Sequence, residues 1–298
     1  MIKNTLSLLF ACCALWFNPA RAQLSPVQTQ SAVMALQGAW LSANSDSARL
    51  QSAAQAQQLL LQGLASKEAW VFEFDSLRMS TIAIASDPKS SLRLFTWNAV
   101  LLDKRFVHFG IIQCKKGSEI QCIPLYDSAQ DLPEAWDEAE LSADEWIGAL
   151  YYQLIPLGKK QYMLLGFDGH NQNSNRSIVD VLHLEQNEEG LQAIFGKALF
   201  RESLQDPSRA ARMVFEYHKS ARMLLRYEPS EDWLVVDNLG ATFDGGRDNP
   251  FVQIPTGDYS AYKEFKGGSW VRFDLETLKF VNDKEVERSA EPLTPSDF

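Results

Sequence analysis

The sequence predicts a mainly β protein: an antiparallel meander whose strand grouping is propeller-like, preceded by a short N-terminal helical region. Two observations carry that expectation. From residue 70 onward, β-branched and aromatic residues alternate with polar ones in runs of about six to nine, each bounded by turn residues. The connections between runs are short ("KKGSE", "GKK", "HKS"), and such connections join antiparallel neighbours, because a parallel pair needs a crossover of roughly a dozen residues.

The chain begins with Lys3, an apolar run from Thr5 to Phe17, a breaker at Asn18-Pro19 and the small-x-small site Ala20-Arg21-Ala22. That is the layout of a secretory signal peptide over residues 1–22, with cleavage expected after Ala22. The run is too short to span a bilayer, and no later stretch is apolar for long enough, so a periplasmic or secreted product without a transmembrane segment is expected. A lipoprotein reading at Leu9-Phe10-Ala11-Cys12 is disfavoured by the bulk of Phe10. Cleavage removes two bases and no acid, taking the formal charge from −10 to −12. A balance so acidic disfavours nucleic acid and anionic lipid as partners.

Residues 23–68 are rich in Ala, Gln and Leu. Ser25-Pro26 is a helix start and Ser45-Asp46-Ser47 a break and cap for a second helix. Val33, Leu36 and Trp40 fall at helical spacing, as do Leu50, Ala53, Leu60 and Leu64, so two helices are expected to pack on the rest of the chain.

The β domain is expected over 69–283. "STIAIAS", "LRLFTWN", "FVHFGII" and "IQCIPLY" form a first group of four strands, and "ALYYQLI", "QYMLLGF", "SIVDVLHL" and "LQAIFG" a second. "RMVFEYH", "ARMLLRY" and "WLVVDNL" open a third, and "YSAYKEF" with "SWVRFDL" belongs to a fourth. Repeated four-stranded meanders suggest propeller blades, with a barrel or a sandwich as the competing closures. Two stretches interrupt the strands: an acidic insert at 126–147 and a Gly/Pro/Asp-rich segment at 238–257, expected to be a long loop. The tail, 284–298, is charged.

Signal cleavage would leave Cys114 and Cys122 as the only cysteines. They flank a turn around Lys116-Gly117-Ser118, and an oxidising compartment favours their pairing, so a disulfide across this hairpin is expected.

Familiar catalytic and cofactor signatures are absent: no G-x-S-x-G, H-E-x-x-H, P-loop or dinucleotide fingerprint. No cofactor is implied. His108, His170, His183 and His218 lie far from one another and from Cys in sequence, so no metal site is expected. The acidic insert carries eight carboxylates with Trp136 and Trp146. It could hold a carboxylate pair such as Asp137, Glu138 or Glu145 beside sugar-stacking indoles, although so many acids more often form a solvated face. The other candidate is "GFDGHNQNSNR", residues 166–176, where Asp168, His170, Asn171, Asn173 and Asn175 could bind a ligand. Its spacing fails the EF-hand pattern, and Asp-Gly with Asn is strong turn chemistry, so a structural connection competes with a site.

"LRLFTWN…FVHFGIIQ", "YYQLIPL…QYMLLGFDGHN…NRSIVDVL", "RMVFEY…ARMLLRY" and "YKEFKGGSW" together resemble a family of exported bacterial proteins of unassigned function, over about Leu92 to Trp270. In that family the turn reads Gly-Trp-Asp-Gly-Asn-Asn; here Phe167 and His170 depart from it. The resemblance implies that Asp168-Gly169 belongs to the architecture, and it implies no reaction. The expected function is a non-enzymatic interaction or binding module of the periplasm or envelope, with a protein or glycan partner. The alternative is a hydrolase or carbohydrate-binding protein using 126–147 and 166–176.

Overall fold

Ser25 opens the chain's first helix through a capping box: its hydroxyl accepts from the Gln28 amide and the Gln28 side chain accepts from the Ser25 amide. The structure, a computed structural model, describes residues 24–282 except 88–90, 133–134, 159, 189, 244–245 and 247–248. The expected signal peptide, with Cys12 and Cys13, and the charged tail lie outside the described residues. Four helices follow in order: α1 (Pro26–Ser42), α2 (Asp46–Leu64), α3 (Lys67–Val71) and α4 (Asp75–Arg78). Ser45 and Ser66 cap α2 and α3 through their hydroxyls. The helical region thus runs ten residues beyond the expected boundary at 68, to Arg78. Among the described residues no helix is long and apolar enough to cross a membrane.

The strands are β1 (Ala83–Ser86), β2 (Leu92–Val100), β3 (Phe106–Lys116), β4 (Glu119–Tyr126), β5 (Leu141–Ser142), β6 (Leu150–Gly158), β7 (Gln161–Asp168), β8 (Ser174–Asn187), β9 (Gly190–Phe195), β10 (Phe200–Arg201), β11 (Met213–His218), β12 (Leu225–Glu228), β13 (Trp233–Ala241), β14 (Gln253–Phe265), β15 (Ser269–Asp274) and β16 (Lys279–Phe280). They form three sheets. The first is β1-β2-β3-β4; the second is β5-β9-β8-β7-β6 with β11 also on β8; the third is β10-β15-β14-β13-β12 with β16 on β15. Among the described residues every pairing of consecutive strands is antiparallel, as the short turns require, while β10 pairs with the distant β15 in parallel.

The propeller-like grouping is not what forms. Among the described residues no sheet closes and no blades circle an axis; the sheets stack in layers. α1 and α2 cover one face of the first sheet, where Val33, Trp40 and Leu60 pack with Phe95, Trp97 and Ile111. Its other face, Leu92, Leu94 and Ile112, meets Leu164, Ile178 and Phe195 of the second sheet. The second sheet's far face, Met163, Leu165 and Val179, meets Leu234, Tyr262 and Trp270 of the third. Two sheets therefore bury both faces, which is why β2 and β7 read as nearly continuous apolar runs.

β11 departs from its expected group for a physical reason. β8 is 14 residues long, and β9 pairs only with its C-terminal part, Leu182 to Asn187. The exposed N-terminal edge, Ser174 to Val179, is filled by β11. The 238–257 segment is also less of a loop than expected, because β13 extends to Ala241 and β14 begins at Gln253.

The expected disulfide is corrected. The β3–β4 turn holds two residues, Gly117 and Ser118, so Cys114 pairs with Gln121 and Cys122 with Gln113. Pleat alternation then sends the cysteines to opposite faces: Cys114 toward the second sheet and Cys122 toward the helices. Both are free thiols, and burial pushes each up to about 12. Native protein at neutral pH is therefore expected to resist iodoacetamide at both positions and to gain two adducts by intact mass once unfolded. A native, unreduced protein two hydrogens lighter than its dithiol mass, taking up alkylator only after reduction, would reinstate the bridge.

Candidate functional site

Cross-strand register sets the chemistry at one end of the gap between the first and second sheets. Asp168 ends β7 opposite Arg176 of β8, and Arg176 lies opposite Glu216 of β11. Directly opposed residues share a face, so an acid-base-acid row crosses three strands. His108 reaches this row from β3 of the first sheet, and Asp127 stands beside it just after β4.

The groups form a linear chain. Asp127 Oδ2 accepts from the His108 backbone amide at 2.7 Å and lies 3.2 Å from His108 Nδ1. His108 Nε2 is 3.5 Å from Asp168 Oδ1, close enough for charge attraction but not hydrogen-bonded. His170 spans two acids, with Nδ1 3.6 Å from Asp168 and Nε2 3.6 Å from Glu216. Glu216 then accepts from Ser174 Oγ at 2.5 Å and Arg176 Nε at 2.8 Å. The side chains of His108, Asp127 and Asp168 are only 2%, 6% and 7% exposed. Burial is the largest single influence on Asp168 and would raise it. Hydrogen bonds from His170 and the nearby His108 outweigh that and hold the carboxyl below its usual range.

The loop joining β7 to β8 is built around these contacts. Asp168 Oδ1 accepts from the His170 amide at 2.7 Å, and His170 sits in the left-handed region at φ 47°. The sequence places the turn chemistry in Asp168-Gly169, but the left-handed residue is His170. Gly169 is there for space: a Cβ would lie 2.3 Å from the Phe106 ring. That ring also carries Lys219, whose Nζ sits 4.9 Å from its centroid and donates to the Gly169 carbonyl at 2.6 Å. Gly169→Ala is expected to cost about 1–3 kcal/mol through overpacking, read as a lowered denaturation midpoint. An unchanged midpoint would show that Phe106 yields freely.

The loop asparagines do not converge on a cation. Asn171 Oδ1 accepts from the Asn173 and Ser174 amides, and Asn175 Nδ2 donates to the Lys219 carbonyl. Among the described residues no three His, Cys, Asp or Glu are arranged to hold a metal ion.

Deeper in the same gap lies a second network. Asp180 and Arg212 are fully buried, with Nε 3.3 Å from Oδ1. Tyr151 donates to Asp180 at 3.0 Å, and Trp146 Nε1 lies 3.3 Å from the Tyr151 oxygen. Burial, then the Asp180 carboxylate, pushes the Tyr151 phenol far above its ordinary value. Arg212 also donates to the carbonyls of Phe195 and Trp136. The Trp136 ring lies 5.9 Å from the Arg212 guanidinium and 6.0 Å from that of Arg176, so it joins the two networks.

These contacts correct the expectation for the acidic insert. Trp146 is a core residue, 0% exposed, so it offers no face to a sugar, and Trp136 is half-buried with the Arg176 and Arg212 guanidinium groups 6.0 and 5.9 Å from its ring. Asp137 and Glu138 are exposed on a turn, and Glu145 closes a capping box with Ser142. The Asp137 carbonyl accepts from the Ala211 and Arg212 amides, which pins the insert to the connection before β11.

The accessible surface beside this end is a cleft of about 470 Å³ lined by Gln172, Asn173, His218, Lys219, Ser220 and Phe251. The Lys219 amide donates to the Asn173 carbonyl, joining its two walls. The Ser220 amide donates to His218 Nδ1 at 3.2 Å, and the Ser220 hydroxyl lies 2.8 Å from the same nitrogen. Phe251, 43% exposed, follows Pro250 in a short 3₁₀ turn capped by Asn249. Of the residues singled out from sequence, only Asn173 lines this cleft. Phe251 was hidden in the segment expected to be a loop, and "HKS" read as a turn. Comparison of the chain with protein-family models, with curated proteins and with solved structures finds no match.

Proposed function

We propose that the chain is an exported, non-enzymatic binding module of the periplasm or cell envelope, and that its recognition surface is the cleft formed by 171–173, 218–220 and Phe251. One contrast carries this reading. The carboxylates able to do acid-base chemistry, Asp127, Asp168 and Asp180, are buried and engaged with His108 and Arg212, while in the open cleft His218 and Ser220 hydrogen-bond each other, Lys219 is tied to the Gly169 carbonyl, and no carboxylate among the described lining residues orients the imidazole. Catalysis needs a nucleophile or base that reaches the substrate, and recognition needs only matched donors, acceptors and apolar surface. Both walls are held by hydrogen bonds, so binding would order little and affinity would not be lost to entropy. The N-terminal segment and the family resemblance support export.

The test places a photo-crosslinking residue at exposed Gln172 in protein expressed with its own leader in native cells. A specific adduct, absent when the crosslinker stands at exposed Glu68 on α3, is the expected result. No adduct at Gln172 would overturn the reading. N-terminal sequencing of the recovered protein is expected to begin at Gln23.

A further inference from the structure

We infer that this cleft takes a neutral glycan, with the Phe251 ring as the face on which a sugar ring stacks. The inference rests on the binding-module reading and adds the ligand's chemical class. Size comes first: about 470 Å³ lies within the range of roughly 300–1,000 Å³ usual for small-ligand sites. The polar lining matches hydroxyl groups. Gln172 and Asn173 each present a donor and an acceptor on one side chain, and the Ser220 hydroxyl, held 2.8 Å from His218 Nδ1, adds a further polar group. A sugar hydroxyl also donates and accepts, so such partners satisfy it without a charge.

The charges argue against an ionic ligand. Among the described residues no carboxylate lines the cleft, so none of them offers the usual partner for a cation. Lys219, the one Lys or Arg among the described lining residues, is committed: Nζ donates to the Gly169 carbonyl at 2.6 Å and lies over Phe106. An anionic polymer would meet a chain of formal charge −10 with no uncommitted Lys or Arg among the described lining residues to offset the repulsion.

The apolar component is Phe251. A sugar's C–H face is the surface that remains once its hydroxyls are hydrogen-bonded, and an exposed aromatic ring covers it. Phe251 keeps 43% of its surface exposed although its backbone is fixed, since its amide donates to Asn249 Oδ1 at 3.0 Å and Pro250 precedes it. A large ring held rigidly at the surface loses little freedom on contact.

The experiment is native affinity electrophoresis of the full exported protein in gels cast with a neutral β-glucan, an α-mannan or a soluble N-acetylglucosamine polymer, with alginate as the anionic control. Retardation by at least one neutral polymer, and none by alginate, is expected. Phe251→Ala is expected to weaken retardation about tenfold, and Asn173→Ala several-fold. Both side chains are exposed, so melting temperatures should stay at the wild-type value, and a fall would transfer the test to Gln172→Ala, read the same way. Retardation by none of the neutral polymers, or retardation that survives Phe251→Ala, overturns the glycan. If the Gln172 crosslinker meanwhile captures a protein partner, the binding module stands and only the ligand class falls; with no adduct, both fall.

Discussion

Arg212→Met is expected to lower stability by about 3–5 kcal/mol, because it leaves the Asp180 carboxylate buried without its counter-charge. The desolvation cost of Asp180 remains while the opposing guanidinium disappears, and two carbonyls, Phe195 and Trp136, lose their donor as well. With slopes of roughly 1–3 kcal/mol per molar urea, the midpoint should fall by more than 1 M. Trp136 loses one of its two cationic neighbours, so tryptophan emission should shift in the folded state too. A companion variant separates charge from packing. Asp180→Leu combined with Arg212→Met removes both charges and should be more stable than Arg212→Met alone, since an apolar pair of similar volume often replaces a buried ion pair at little cost. An Arg212→Met midpoint at the wild-type value would show that Asp180 reaches water or another partner.

Much of the layering can be traced to particular residues. Val33, Trp40, Ala53, Leu60 and Leu64, read from helical spacing, are the residues that α1 and α2 bury against the first sheet. Leu92 and Leu94 alternate with Phe95 and Trp97 toward opposite layers, so β2 shows no polar face and its period is blurred. Blade-like grouping misled because short turns report which strands are neighbours, not how sheets stack. The place of β11 depended on β8 outgrowing β9, a competition between distant segments that no local pattern records. For the cysteines the information was local and concerned parity. A two-residue turn at Gly117-Ser118 offsets 114 and 122 by one position, whereas an odd-length turn would have opposed them.

The site was legible only as parts. Asp168 and His170 stood out, but Asp127 meets them because two sheets stack and Glu216 because β11 pairs with β8. His108 contacts Asp127, and nothing in "RFVHFGII" signals the second carboxylate across the gap. Trp136 and Trp146 were singled out as large aromatic residues among acids. The burial of Trp146 and the anchoring of half-buried Trp136 follow from Tyr151, Asp180 and Arg212, residues of three separate segments.

His108→Ala is expected to be nearly as damaging as the Arg212 change, and its cost should depend on pH. In the native protein Asp168 is held below the ordinary carboxylate range of about 4. A lowered carboxyl stabilises the fold fully above its unfolded pKa, and that stabilisation is lost as pH falls through the folded value. Removing His108 takes away one of the influences that keep Asp168 low and leaves two buried acids, Asp127 and Asp168, without the imidazole between them. At pH 7 the variant should be less stable by about 3–5 kcal/mol, the usual cost of stranding a buried charge. Toward about pH 4 the gap should narrow, because a protonated Asp168 no longer needs a partner, while wild type loses its own advantage over the same interval. His170 and Lys219 also face Asp168 and remain, so Asp168 keeps some support and the gap should shrink without reversing. Adding Asp168→Asn to His108→Ala should recover part of the loss at neutral pH and flatten the pH dependence. Urea midpoints of the four proteins at pH 7 and pH 4 decide the matter, and a gap of equal size at both pH values would show that His108 acts through packing against Phe106 and Trp146 alone.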